Sequence, residues 1–159
     1  MEKLEVIGAK KLKGTVKISG SKNSSLPILA ATLLSSKKVK LLNLPRVKDI
    51  ETMILLLRSL GSYVKYNKKN KSADIYNSKN IKTFASYNLV KTMRAGILVL
   101  GPLLARFNKA KVSLPGGCAI GARPVDIHLK ALSKLGVNYK IVQGYISVSY
   151  THLTLPTKA

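Results

Sequence analysis

The sequence predicts an α/β fold made of repeated helix-strand-helix-strand-strand units. Apolar residues recur at helical spacing in some stretches and alternate with polar residues in others, which indicates amphipathic helices and half-buried strands. Two parts of the chain also match each other, because residues 46–50 and 57–65 are similar to residues 123–127 and 132–140. Two copies of one unit bury their apolar faces by packing around a shared core.

The first copy is preceded by two short alternating segments. Residues 4–8 and 14–19 are predicted to be strands, and the Ser and Asn residues that follow are favourable helix caps. Gly61 follows an amphipathic stretch and is expected as the residue that ends that helix. The elements predicted for this copy are a helix at 26–34, a strand at 39–42, a helix at 49–60 and strands at 63–66 and 74–76, with a polar loop at 67–71.

The second copy is expected to repeat this order. A long apolar helix is predicted over residues 89–104 and a strand over 111–114. A further helix is predicted to start near Pro124, a favourable first helical residue, with Asp126 at the positive end of the helix. Gly136 lies 75 positions after Gly61 and is expected to end this helix in the same way.

The only cysteine of the chain, Cys118, lies in a loop that the first copy lacks. Its surroundings read Leu-Pro-Gly-Gly-Cys-Ala-Ile-Gly-Ala-Arg-Pro, a density of Gly and Pro that excludes a helix interior or a central strand. A thiol beside a cation such as Arg123 and a helix start is reactive, because its thiolate is stabilised there. The alternative is a small buried apolar residue, and the pattern alone leaves both interpretations open.

A second candidate site precedes the first helix of the first copy. The segment Ser-Gly-Ser-Lys-Asn-Ser-Ser, with Lys22 and Asn23 at its centre, offers backbone N–H groups and an ammonium where an anion would bind. The spacing is not that of a Walker A loop. The alternative is an ordinary serine-rich cap with a solvated lysine. His128, by contrast, is expected to lie on a helix face without a chemical role.

Composition narrows the class of protein. The net charge is +22, but the 28 basic residues are mostly lysines spread over every element, so we expect no nucleic-acid partner, although the field can steer anionic substrates. One cysteine gives no disulfide framework and favours a reducing, cytoplasmic location. We expect no membrane span and no signal segment, because no apolar run is long enough and the chain begins Met-Glu-Lys-Leu-Glu. No metal or cofactor is expected.

Three motifs together resemble the UDP-N-acetylglucosamine 1-carboxyvinyltransferase family. They are Ile-Ser-Gly-Ser-Lys-Asn-Ser-Ser-Leu-Pro-Ile-Leu from Ile18, Leu-Val-Lys-Thr-Met-Arg-Ala from Leu89, and the cysteine loop from Val112 to His128. The resemblance runs from about Met1 to Ile146. It implies the inside-out α/β barrel of enolpyruvyl transferases, in which two domains of three repeats each have helices inside and sheets outside.

The resemblance also implies a reaction. The family transfers the enolpyruvyl group of phosphoenolpyruvate to the 3′-hydroxyl of UDP-N-acetylglucosamine, the first committed step of peptidoglycan synthesis, through a tetrahedral ketal. Cys118 resembles the proton donor and the thiol attacked by fosfomycin. The other site residues implied are Lys22, Asn23 and Arg123 for phosphoenolpyruvate and Arg94, Arg123, Pro124, Val125, Asp126 and Ile127 for the UDP-sugar.

The resemblance implies a domain division as well. Residues 1–21 would be strands of a second domain, and residues 22–147 about two of the three repeats of the cysteine-loop domain. Residues 148–159 have no family counterpart, and Val-Ser-Tyr-Thr-His is what one frame of a common transposon sequencing adapter encodes. We therefore expect a non-native tail, an N-terminal fragment, and little or no activity from this chain alone.

The sequence leaves three alternative functions open. The shikimate-pathway enolpyruvyl transferase shares the fold but lacks the Gly-Gly-Cys loop, so Cys118 argues against it. A non-catalytic remnant that binds UDP-sugars or anions would keep the scaffold without turnover. A basic nucleic-acid binder would show a steep salt dependence, and the scattered lysines disfavour it.

Overall fold

Two units with the same order of elements follow one another along the chain. The computed structural model describes residues 3–8, 11, 13–114 and 125–150. The first unit consists of α1 (Lys22–Ala31) with a 3-10 turn (Thr32–Leu34), β1 (Val39–Leu41), α2 (Lys48–Ser59), β2 (Tyr63–Asn67) and β3 (Ser72–Tyr76). The second consists of α3 (Tyr87–Val90), a 3-10 helix (Arg94–Val99), α4 (Leu100–Phe107), β5 (Lys109–Ser113), α5 (Asp126–Lys134), β6 (Asn138–Val142) and β7 (Tyr145–Ser149), and β4 (Phe84–Ala85) precedes it.

The two sheets repeat one topology. In the first, the order is β1-β3-β2 with every pair antiparallel. In the second, β5-β7-β6 has the same antiparallel pairs, and the short β4 adds a parallel edge beside β5. The sequence did not predict β4, because two residues are too few to show alternation. The repeated helix-strand-helix-strand-strand unit is confirmed.

The match between the units extends to single hydrogen bonds at the end of the second helix. After α2, Gly61 N–H donates to Arg58 O at 2.9 Å and Ser62 N–H to Leu57 O at 3.0 Å. After α5, the glycine and the residue after it make the same two bonds, at 2.9 and 3.1 Å. Both glycines have positive φ, +102° at Gly61 and +86° at Gly136. These are Schellman caps, as the glycine positions predicted.

The helices of the two units pack on one another in the interior. α1 contacts α2 and also the 3-10 helix of the second unit, while α4 contacts the 3-10 turn of the first. The sheets cover this layer, since β2 packs on α2 and β5 on α4. One apolar cluster spans both units, and its fully buried members include Leu29, Leu33, Ile50, Leu57, Leu103 and Ile146. Burial of this kind is the main favourable term in folding.

A polar network ties the units together beside this core. Asn77 is fully buried, accepts a hydrogen bond from Ser62 Oγ at 2.6 Å, and donates to Thr32 O at 2.7 Å. The Arg106 guanidinium, from α4 of the second unit, donates to Leu33 O at 2.8 Å. It also reaches the carbonyl of Asn77 at 3.3 Å. Backbone carbonyls that helix and strand pairing leave free are satisfied in this way.

The strands predicted over residues 4–8 and 14–19 are wrong for this structure. The described residues of both segments form no strand. Their apolar side chains are exposed, at 93% for Leu4, 89% for Ile7 and 82% for Ile18. An alternating pattern makes a strand only where another strand accepts its backbone hydrogen bonds, and none of the described strands pairs with these residues.

The long helix predicted over residues 89–104 is also wrong, because this stretch is α3, the 3-10 helix and α4. Met93 is extended between α3 and the 3-10 helix, with φ −145° and ψ 117°. Gly96 sits where an added Cβ would meet Val90 Cγ1 at 3.2 Å, so close packing favours glycine there. Gly101 and Pro102 are further weak helix formers. The apolar run identified the buried stretch but not its breaks.

Two predicted helix starts are shifted. The first helix begins at Lys22 rather than at residue 26, because Ser21 caps it. The helix expected from Pro124 begins at Asp126, with Val125 at the N-cap position, and Pro124 lies outside the described residues. Asp126 is in the first turn, as predicted.

The predicted division into domains stays a prediction. The boundary at 148 falls inside β7 rather than in a loop, because Val148 is buried and pairs with Ala110. Tyr150 N–H then donates to Asn108 O at 3.2 Å. Residues 151–159, with His152, lie outside the described part of the chain.

Candidate functional site

A glycine lets the first helix start against the loop that leads into the second. An added Cβ on Gly20 would lie 1.7 Å from Asn43 O and 3.4 Å from Pro45 Cδ, so no other residue fits without a shift of the backbone. Ser21 follows as the N-cap of α1 and accepts a long hydrogen bond from Ser24 N–H at 3.4 Å. This close contact places the start of α1 beside the start of α2.

An ion pair joins the two helix starts. Lys22 Nζ, from the first turn of α1, lies 2.5 Å from Asp49 Oδ2, in the first turn of α2. The side chains are 48% and 35% exposed, so solvent screens the pair and it adds little to folding stability. Its charges remain accessible to a ligand from solution. The sequence-predicted anion site therefore has an ammonium in place, with a carboxylate already bound to it.

The backbone of α1 supports anion binding at the same place. The N–H groups of a first helical turn have no partner within the helix and carry the positive end of its dipole. Lys22 and Asn23 are the first two residues of α1, and both are exposed. An anion there would meet backbone donors, a side-chain amide and an ammonium together.

The remaining predicted residues of the UDP-sugar group lie on the second unit. Arg94 is exposed at the start of the 3-10 helix that contacts α1. Val125, Asp126 and Ile127 form the start of α5, where Asp126 pairs with Lys130 at 3.5 Å and Ile127 is 66% exposed. Among the described residues, no hydrogen bond or ion pair links these groups to Lys22.

Three predicted site residues cannot be placed. Cys118, Arg123 and Pro124 lie outside the described residues. In the chain they stand between β5, which ends at Ser113, and α5, which begins at Asp126. His128 is exposed on α5.

In the first unit, Arg46 occupies the position in the repeat that matches Arg123 of the second unit. Arg46 Nε donates to Lys68 O at 2.8 Å, and its Nη2 donates to Lys69 O at 3.1 Å. These carbonyls belong to the four-residue loop between β2 and β3. The loop between β6 and β7 has only two residues, Gln143 and Gly144, both with positive φ. The second hairpin loop is thus two residues shorter than the first.

Sequence reasoning treated Asp49 only as the start of a helix and missed its contact with Lys22. The repeat contained a signal, since the Arg-x-x-Asp-Ile pattern places Asp49 and Asp126 at the same position. Arg106 and Asn77 were also missed. A lone polar residue in an apolar stretch gives no indication of partners that lie 15 to 73 positions away.

The described residues carry no sign of a metal site or of a spanning helix. No three His, Cys, Asp or Glu side chains are grouped among them as metal ligands. None of the helices in residues 3–114 and 125–150 is both long and apolar enough to cross a membrane.

Comparison with known proteins decides the family. The profile described as EPSP synthase (3-phosphoshikimate 1-carboxyvinyltransferase) matches residues 6–155. The chain belongs to this family.

Solved structures agree on the fold: the enolpyruvyl transferase NikO from Streptomyces tendae superimposes with a TM-score of 0.75 at 22% identity, over 92% of this chain and 32% of that one. EPSP synthase from Acinetobacter baumannii gives 0.64 at 17% identity, over 90% and 33%. The predicted enolpyruvyl transferase fold is confirmed.

Curated relatives are much closer in sequence. The chain is 77% identical over 146 residues to UDP-N-acetylglucosamine 1-carboxyvinyltransferase of Pelagibacter ubique. It is 58% identical over 146 residues to the protein of that name in Helicobacter pylori strain Shi470. Each match covers 92% of this chain and 34% of the relative. The chain spans about a third of the length of these relatives.

Proposed function

We propose that the chain supplies the first third of an enzyme that transfers the enolpyruvyl group of phosphoenolpyruvate to the 3′-hydroxyl of UDP-N-acetylglucosamine. The single observation that carries this proposal is the 77% identity to the Pelagibacter ubique relative of that name, which extends over 92% of the chain. The alternative acceptor of the family profile, a shikimate phosphate, has less support, because the compared EPSP synthase structure is only 17% identical.

In this proposal Cys118 donates the proton that the reaction needs. The acceptor hydroxyl gives up its proton to a base as its oxygen bonds to C2 of phosphoenolpyruvate, and the thiol protonates the methylene carbon to a methyl group, which gives a tetrahedral ketal. Loss of a proton from that methyl group, with departure of phosphate, then restores the double bond on the transferred group. A general acid must reach the carbon that it protonates, and the density of Gly and Pro around Cys118 in the sequence is typical of a loop that can close over a substrate.

Lys22 and Asn23 would bind the phosphate end of phosphoenolpyruvate. Their support is the arrangement at the start of α1, where an exposed ammonium, an exposed amide and the helix N-terminus lie together. A phosphoryl group gains negative charge as it leaves, and an ammonium at hydrogen-bond distance stabilises that charge more in the transition state than in the substrate.

Arg123 would bind the same substrate, with Arg94, Pro124, Val125, Asp126 and Ile127 toward the UDP-sugar. The support for Arg123 is the comparison of the two units. Arg46 is occupied by carbonyls of the first hairpin loop, and the second hairpin loop is two residues shorter. A guanidinium presents paired N–H groups that match the oxygens of a phosphate or carboxylate, as those of Arg46 match two carbonyl oxygens.

A chimeric enzyme tests the proposal. Residues 1–146 of this chain replace the matching first third of the Pelagibacter ubique relative. Release of inorganic phosphate is then measured with phosphoenolpyruvate and UDP-N-acetylglucosamine together and with each alone. We expect release only with both substrates, at a rate within about tenfold of the intact relative, because the compared segments are 77% identical.

Matched variants assign the roles. Cys118→Ser in the chimera is expected to lower kcat by roughly a hundredfold or more, the scale of a lost general acid. Lys22→Gln is expected to raise the KM for phosphoenolpyruvate, and Lys109→Gln is the control for loss of a lysine in the second unit. Release with shikimate 3-phosphate instead of the UDP-sugar would contradict the proposed acceptor.

The second candidate is a non-catalytic module that binds UDP-sugars or anions. The observation that favours it is the accessible cationic site in the first unit, which the chain forms without the remaining two thirds of its relatives. The 159-residue chain alone is then tested for UDP-N-acetylglucosamine binding and for turnover. Binding without turnover supports the module, whereas turnover by this chain alone would contradict its expected inactivity.

A further inference from the structure

The carboxylate that holds Lys22 has no part in the reaction proposed above. Asp49 Oδ2 is 2.5 Å from Lys22 Nζ, and it is the one ion-pair partner that this ammonium has among the described residues. Asp49 lies in the first turn of α2, where the helix dipole favours a negative charge. The Gly20 contact with Asn43 O keeps the two helix starts adjacent. The carboxylate is therefore held where a substrate anion would approach the ammonium.

We propose that Asp49 is a specificity-determining residue that acts as the internal counter-ion of Lys22. An incoming anion must displace or share this carboxylate before it can bind the ammonium. The inference rests on the proposed function, in which Lys22 contacts the phosphate of phosphoenolpyruvate. A dianionic phosphoryl group can compete with a fixed carboxylate, whereas a weakly interacting monoanion such as chloride cannot.

Asp49 could have two opposite effects on anion binding, and their sizes decide between them. Its contact orders the flexible Lys22 side chain, which would favour a ligand, but an ion pair with both side chains more than a third exposed restrains the lysine only weakly. Its full negative charge repels every anion that reaches the site. Repulsion exceeds the benefit of ordering, so Asp49 lowers anion affinity.

Glu51 provides a matched control on the same helix turn. It also lies in the first turn of α2, and its Oε1 pairs with Lys68 Nζ at 2.7 Å, with side chains 44% and 61% exposed. Its replacement by Gln removes the same charge from the same helix end but leaves the Lys22 contact intact. A gain in phosphate affinity that both substitutions share comes from the general electrostatic field of the protein. An additional gain in the Asp49 variant comes from the loss of its ion pair with Lys22.

The experiment is a titration of the 159-residue chain with inorganic phosphate at fixed ionic strength. Binding is followed by NMR through the backbone amides of Lys22 and Asn23 and through the Lys22 side-chain ammonium. Asp49→Asn is expected to bind phosphate roughly three- to tenfold more tightly than the wild type. Glu51→Gln is expected to stay within about twofold, and Asp49→Glu, which keeps the charge, is expected to bind as the wild type does.

The outcomes separate this inference from the proposed function. Lys22→Gln is titrated in parallel to show whether binding depends on the ammonium. Binding that depends on Lys22 but is unchanged or weaker in Asp49→Asn overturns the inference and leaves the proposed function standing. An equal gain in Glu51→Gln also overturns it. Phosphate binding that is absent, or that does not depend on Lys22, overturns the inference and removes Lys22 from the proposed site, while the transfer reaction itself is decided by the chimera.

Discussion

Replacing Arg106 by alanine is expected to loosen the junction between the two units. The Arg106 guanidinium donates to four carbonyls of the first unit, those of Leu33 at 2.8 Å, Ser35 at 3.2 Å, Asn77 at 3.3 Å and Ser78 at 3.2 Å. Two lie at the end of the 3-10 turn after α1 and two follow β3. Alanine would leave these carbonyls without their donor at a partly buried place.

The expected loss follows from the geometry of these bonds. A hydrogen bond to a charged group contributes about 1.5–3 kcal/mol to stability. Three of the four here are long, and the arginine is only partly buried, so together they count as one or two good bonds. Arg106→Ala should therefore lower the free energy of unfolding by about 2–4 kcal/mol. The total free energy of unfolding of a native protein is only about 5–15 kcal/mol, so this loss would be a large part of it.

Urea unfolding followed by circular dichroism measures this change. With a denaturant slope of about 2 kcal/mol per molar, the midpoint should fall by about 1–2 M. Arg106→Lys keeps the charge but lacks the forked donor, so it should recover at most half of the loss. Lys109→Ala, an exposed neighbour, should change stability by less than about 0.5 kcal/mol. An Arg106→Ala midpoint equal to that of Lys109→Ala would show that these four hydrogen bonds do not hold the two units together.

Three further substitutions test single contacts by the same unfolding assay. Gly20→Ala should lower the free energy of unfolding by about 1–3 kcal/mol and weaken phosphate binding, because the added Cβ would lie 1.7 Å from Asn43 O. An unfolding midpoint equal to that of the wild type would contradict this close contact. Gly101→Ala, where the added Cβ meets nothing within 4 Å, should instead stabilise α4 by about 0.4–1 kcal/mol, and any loss would show an unseen clash. Asn77→Ala should cost about 1–3 kcal/mol, since the buried Ser62 Oγ loses its acceptor and Thr32 O keeps only the bond from Ser35 N–H, and a cost below about 0.5 kcal/mol would mean that Ser62 finds a new partner.

Local sequence signals predicted those parts of the fold that short-range chemistry determines. Positive φ at Gly61 and Gly136 follows from their place after an amphipathic helix, where a left-handed residue closes the Schellman bonds. The three strands of the first unit, β5 and the second helices of both units were predicted within a few residues, because their apolar periodicity is regular. Detection of the repeat then predicted the order of elements in the second unit, since both copies must bury the same faces.

The errors occurred where distant contacts outweigh local preference. Residues 14–19 alternate like a strand, yet no described strand accepts their hydrogen bonds. The apolar run from Leu89 breaks because Gly96 packs against Val90 and Met93 becomes extended, and both depend on neighbours in space. The Lys22–Asp49 pair joins residues 27 positions apart, which no local pattern reveals.

A comparison of the two units shows how one scaffold can separate structural from chemical roles. In the first, the arginine before the second helix fastens a four-residue hairpin loop, so its donors are used in folding. In the second, the hairpin turn is reduced to Gln143 and Gly144, whose positive φ values allow a two-residue connection. The second unit also has more residues between β5 and α5 than the first has between β1 and α2, and Cys118 is one of them. On the proposed function, the unit with the shorter hairpin turn is also the one that carries Cys118, while the shared caps keep its fold like that of the first unit.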